Sequence, residues 1–140
     1  MTPLLEAVYD QLKGDASIIA IVGSKVYFGR ARDNVDLPYL VFSRQGSFPP
    51  VVYTSRTLQV EHIIIRFETW SIESDQAMTG VEAVEKLFRG TWPVLASGTV
   101  MQVTKQGDTL EIDPTPTSDG DDVRRGIVDM DFMIQRDPTA

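Results

Sequence analysis

Leu4 to Phe42 reads LLEAVYDQLKGDASIIAIVGSKVYFGRARDNVDLPYLVF, which sets two short apolar helices, a brief strand, a polar loop and a Pro-led strand in a fixed order. Thr2 is placed to cap the first helix, with Pro3 at the position where a missing amide hydrogen costs nothing. Leu4, Leu5, Val8 and Leu12 then fall on one face, and Gly14 ends the run. Asp15 caps a second apolar segment, Ala16 to Val22, whose Ile18, Ile19 and Val22 call for burial, and Gly23 stops it. Val26 to Phe28 is a strand candidate. Gly29 to Asp36 has no periodicity and reads as an exposed loop. Pro38 holds Leu37 extended and opens the strand Tyr39 to Arg44.

Outward from that stretch, Gln45 to Ser55 carries Gly46, Pro49 and Pro50, which suggest a loop projecting from the sheet. The strand after it, Thr57 to Trp70, reads as the longest. Glu61, Ile63, Ile65, Phe67 and Thr69 share one side, while Leu58, Val60, His62, Ile64, Arg66, Glu68 and Trp70 share the other. Both sides hold apolar residues, so helices should cover one and another subunit or layer the other. Ser74 is the expected cap of the helix Asp75 to Arg89, where Ala77, Val81, Val84 and Phe88 or Leu87 make a stripe that Gly90 terminates. Strands follow at Thr99 to Gln106, Thr109 to Ile112 and Val123 to Arg136. The run DPTPTSDGDD, Asp113 to Asp122, has no apolar side chain and cannot bury itself. A flexible acidic loop over about residues 107–122 is therefore expected. The whole reads as one α+β domain spanning residues 1–140, a mostly antiparallel sheet with two main helices packed on one face.

Composition limits the function classes. A chain of 140 residues supports one core, burying roughly two thirds of its unfolded surface. With 42% apolar and 24% charged residues it has the balance of a globular protein. The net charge of -7 opposes non-specific nucleic-acid binding, which needs clustered Lys and Arg. The absence of cysteine removes disulfides, thiolate metal sites and a cysteine nucleophile. No window approaches the ~20 apolar residues of a membrane span, and the amino-terminal stretch lacks a basic region leading into an apolar run, so a soluble, unsecreted protein with no membrane partner is expected.

The chain carries little catalytic vocabulary. His62, the only histidine, has no partner at metal-ligand or triad spacing and reads as structural or interfacial. Asp129 and Asp131 sit on one strand face roughly 7 Å apart; no third ligand follows in sequence, so a solvated face is the preferred reading. Asp119, Gly120, Asp121 and Asp122 lack the order of a calcium loop. No glycine spacing matches a phosphate cradle. Arg30 and Arg32 beside Tyr27 and Phe28 point to a salt bridge with an acidic neighbour rather than to stacked bases. Trp70 and Trp92 read as core or interface anchors. No cofactor, metal or enzymatic activity is expected; a metal-dependent enzyme on Asp129 and Asp131 is the remote alternative.

The opening layout, with its second short helix ending in Val22-Gly23 and its loop before Pro38-Tyr39-Leu40-Val41, resembles the small tail-completion and tail-terminator proteins of long-tailed bacteriophages and gene-transfer-agent-like particles. That resemblance implies a virion structural protein, assembled in the host cytoplasm, that closes a homo-oligomeric ring, typically a hexamer, at the head-proximal end of the tail. Such a ring stops the tube at its correct length and joins the head connector or stopper. Another head-tail joining component, a stopper or minor tail protein, is the alternative. The implied partners are further copies of the chain, the tail tube protein, the connector or stopper, and DNA passing through the lumen without specific binding. A bore that lets DNA slide needs an acidic or neutral lining, and Asp129 and Asp131 are its leading candidates. Arg30, Arg32, Phe48, Leu110, Ile112, Asp119, Asp121 and Asp122 are the candidates for a subunit or tube interface.

Overall fold

Thr2 does cap the first helix, its Oγ1 accepting the Leu5 amide at 3.4 Å, and the Asp15 carboxylate accepts the Ile18 amide at 3.1 Å to start the second. The computed structural model describes residues 2–31, 35–47, 51–52, 59–113 and 122–136. Along the chain run α1 (Pro3–Gly14), α2 (Ala16–Val22), β1 (Val26–Phe28), β2 (Tyr39–Ser47), β3 (Val51–Val52), β4 (Gln59–Ser71), α3 (Ser74–Gly90), β5 (Thr99–Asp113) and β6 (Val123–Arg136). The strands form one sheet in the order β1-β2-β4-β6-β5, with β3 on β4; among the described residues β1 and β2 pair in parallel and every other pairing is antiparallel. The fold is α+β with a mostly antiparallel sheet.

Period-two alternation decides what each face of the sheet does. Ile63, Ile65, Phe67 and Thr69 of β4 and Val128, Met130, Phe132 and Ile134 of β6 turn one way and are buried. Against them lie Leu4, Leu5, Val8 and Leu12 of α1, Ile18 and Val22 of α2, and Ala77, Val81, Val84 and Phe88 of α3. All three helices therefore cover one face. α3 comes closest, because two glycines remove the side chains that would hold it away. A Cβ on Gly126 would sit 2.5 Å from the Ala77 carbonyl oxygen, and one on Gly80 would run into the Thr69 side chain.

Several boundaries differ from the sequence reading. β4 is shorter than β5 and β6, which run 15 and 14 residues against its 13. The strand expected at Thr109 to Ile112 is present and longer: Gly107 to Asp113, the first part of the expected flexible loop, pairs with Val123 to Asp129, because the long-range ladder satisfies backbone that local composition leaves open, while residues 114–121 of that loop lie outside the described residues. β5 is continuous through that point, with bulges at Val100/Gln102 and Lys105/Gly107. Gly46, Ser47, Val51 and Val52, expected in a loop, pair with β4, a bulge at Arg44/Gly46 absorbing the glycine; residues 48–50 and 53–55 of that expected loop lie outside the described residues. Ser74 is the first helical residue rather than the cap. Glu73 takes the cap position without a side-chain bond, and Ser71 Oγ accepts the Glu73 amide at 3.0 Å. Ile19, expected inside, is exposed.

The close approach of α3 gives a direct test. Gly126→Ala should destabilise the protein by about 2 kcal/mol, since a Cβ against backbone forces the helix off the sheet, and should lower Tm by roughly 5–8 °C at this length. Gly107→Ala, whose Cβ would meet nothing within 4 Å, should shift Tm by less than about 2 °C. Equal melting of the two variants in thermal unfolding would contradict this packing.

Candidate functional site: the uncovered sheet face

The face turned away from the helices is neither a second core nor a plain solvated surface. Alternation places His62, Ile64, Arg66, Glu68 and Trp70 of β4 there, beside Arg125, Ile127, Asp129, Asp131 and Met133 of β6. Arg66 and Asp129 are direct cross-strand partners. The Arg66 Nε and Nη2 donate to the two Asp129 oxygens at 2.9 and 3.1 Å, a two-point contact that fixes both side chains. That hydrogen bond raises the Arg66 pKa above its ordinary value, against the opposing effect of desolvation. One step along, His62 Nδ1 lies 3.0 and 3.2 Å from the Asp131 oxygens. Asp131 opposes Ile64 in the ladder, so its partner is a diagonal neighbour.

Toward the far end of the same face, Arg125 sits between carboxylates and an aromatic ring. Its guanidinium contacts Glu68 and Glu111 and stands 5.1 Å from the Trp70 ring centroid. Trp70 stacks on Tyr39 at 5.9 Å, and Tyr39 meets Tyr27 edge-on at 6.3 Å, which carries an aromatic row across β4, β2 and β1. The Trp70 indole N–H is buried with no acceptor among the described residues. Near Gly107, where β5 contributes no side chain, a concavity of about 370 Å³ opens between Arg66, Asp129, Thr109 and Glu111.

The structure corrects the expected character of Asp129 and Asp131. Both lie on the uncovered face, but their side chains are only 27% and 13% exposed and each is held by a cation or imidazole. His62, read as lacking a partner, has Asp131. Pairing across β4 and β6 joins residues 69 positions apart, which no local spacing reveals. Outward-facing opposite charges, Arg66 and Glu68 against Arg125, Asp129 and Asp131, were the available signal, and they become informative only once the register is known. The arrangement can hold charge in place at a surface; its carboxylates already have partners. Among the described residues no three His, Cys, Asp or Glu side chains gather as a metal ion would require.

The interface candidates separate to the two edges of the sheet. Leu110 and Ile112 lie on β5, and exposed Asp122 just precedes β6. Arg30 is exposed directly after β1, at the opposite edge. Arg32, Phe48, Asp119 and Asp121 lie outside the described residues.

A sequence profile of the tail completion protein gp17 matches residues 6–135, nearly the whole of this fold. The chain belongs to the tail completion protein gp17 family. A chain of a solved structure described as the virion of a native gene transfer agent particle is similar in fold, with a TM-score of 0.75 and 19% identity over 95% of each chain. No curated protein matches the chain. This tail completion protein is thus a structural component of a virion tail. Among the described residues no helix is long and apolar enough to cross a membrane.

The two-point contact of this tail completion protein is open to measurement. Arg66→Ala and Asp129→Ala should each cost about 1 kcal/mol, and the double variant should cost about 1 kcal/mol less than their sum, the value of a well-aligned but partly screened pair. Urea unfolding of the four proteins gives the coupling. Strict additivity would mean that the contact adds nothing to stability.

Proposed function

We propose that this tail completion protein caps the head-proximal end of the tail tube, ends tube polymerisation at its correct length and offers the joint to the head connector or stopper. The observation that carries this reading is the family match over residues 6–135. A terminator must meet the tube on one side and a different partner on the other, and a closed ring provides both surfaces with one subunit type. We propose such a ring, six subunits in the arrangement that the family resemblance implies. The work is assembly, and it asks for no reaction.

In that ring the uncovered face turns toward the bore and the helices turn away from it. Glu68, Glu111, Asp129 and Asp131 on this face stand against Arg66 and Arg125, so the face is acidic on balance while each charge is locally held. A passing duplex would meet net repulsion and, among the described residues of this face, find Arg66 and Arg125 already held by carboxylates. Held charges also suit a channel wall, because side chains already fixed in pairs reach less readily for phosphates.

Particles made without this subunit should carry tails of irregular length, or tails that fail to join heads, and imaging of complete particles should place the subunit at the head-proximal end only. Subunits along the whole tube, or a single copy per tail, would overturn the terminator role. Particles carrying Asp129→Lys with Asp131→Lys and tails of normal length should eject DNA several-fold more slowly. Unchanged ejection from them would place these side chains off the DNA path.

A further inference from the structure

The two free edges of the sheet are complementary in charge. Residues 24–31, SKVYFGRA, hold β1 and carry two cations and no carboxylate. Residues 107–113, GDTLEID, form the far half of β5 and carry three carboxylates and no cation, although Asp108 and Glu111 pair with Lys105 and Arg125 from outside the segment. β1 and β5 are the outermost strands on opposite sides. Following the register across the sheet, Val26, Leu40, Thr69, Gly126 and Leu110 make one transverse row, and Phe28, Phe42, Phe67, Val128 and Asp108 make another. The basic and acidic segments thus lie at the same level along the strands.

Each edge also leaves large apolar side chains in water. Phe28 is 44% exposed on the β1 side; Leu110 is 41% and Ile112 59% exposed on the β5 side. Alternation turns Phe28, Leu110 and Ile112 toward the same face, the one that bears the helices. Strand directions agree as well. β1 runs parallel to β2, and each later step, β2 to β4, β4 to β6 and β6 to β5, reverses direction, so a second copy laid beside the first brings its β1 antiparallel to β5.

We infer that the β1 edge of one copy docks on residues 107–113 of β5 in the next copy, with Phe28 meeting Leu110 and Ile112, and Lys25 and Arg30 facing the acidic segment. The occupant of each edge is therefore a second copy of this chain, and the contact is head-to-tail. Repeated through equal rotations it closes a ring whose inner wall is the uncovered face. Because β1 offers three residues of strand, side chains carry most of the contact and backbone pairing adds a short register. The inference rests on the ring proposed above and names the surfaces that build it.

The chain has no cysteine, so introduced pairs report without background. Residues directly opposed on neighbouring strands have Cβ atoms about 4.5–5.5 Å apart, close enough for a disulfide after small adjustment. Particles carrying Phe28→Cys with Asp108→Cys, and a second set with Phe28→Cys and Leu110→Cys for a register offset by one step, are purified, oxidised and run without reductant. At least one pair should convert most of the subunit to a ladder from dimer upward, while each single variant stays monomeric. Monomer from both pairs in assembled tails, or dimer from Phe28→Cys alone, would overturn the head-to-tail edge contact. A ladder from subunits imaged elsewhere on the tail would leave this contact standing and remove the terminator role, whereas monomer from correctly placed subunits would do the reverse.

Discussion

Phe42 of β2, Phe67 of β4, Phe132 of β6 and Phe88 of α3 bring their rings together beneath the helices, with centroids 5.3 to 6.5 Å apart along the contacts that link them. Rings at such separations contribute about 0.5–1.5 kcal/mol per pair beyond the area they bury. The cluster joins three strands to a helix that enters the chain after β4, so the hairpins on either side of α3 are tied to one point. Phe28 and Tyr9 extend it toward β1 and α1, at 5.4 and 6.2 Å from Phe42. Strand register follows from this packing, because a one-residue slip in β4 would turn Phe67 out and Arg66 in.

The same register produces the charged face. Once Phe67 opposes Val128 on the core side, Arg66 opposes Asp129 and Glu68 lies beside Arg125 on the other. No separate device is needed to align these groups. The ladder that buries the phenylalanines also sets the carboxylates within reach of the guanidiniums, and Val41, Val60 and Ile127 on the same face are buried as well.

How much could be read beforehand depended on range. Helix starts were legible because their determinants lie within four residues, as at Thr2 with Leu5 and Asp15 with Ile18. The two faces of β4 were legible from alternation alone. Thr109 to Ile112 was legible as a strand, but its joining to Thr99–Gln106 through Gly107 and Asp108 was not, since those two residues favour a turn and only the ladder with β6 makes β5 continuous. Ser74 was misassigned because a serine before an acidic first turn matches a cap locally, while Ser71, held by Gln76, intercepts the Glu73 amide. The charged contacts between β4 and β6 join residues 57 to 69 positions apart, so the site became legible only with the sheet.

The two bulges in β5 bear on what the protein must avoid. A free edge of fifteen residues is a template for indefinite strand addition and hence for fibrous aggregates. Bulges at Val100/Gln102 and Lys105/Gly107 break that edge into short pieces, and a bulge adds local twist that spoils a flat approach. The uninterrupted piece left, Gly107 to Asp113, carries three acids that repel a like strand from another copy. An edge so guarded disfavours the addition of a like strand, and its acids suit a basic strand better than an acidic one.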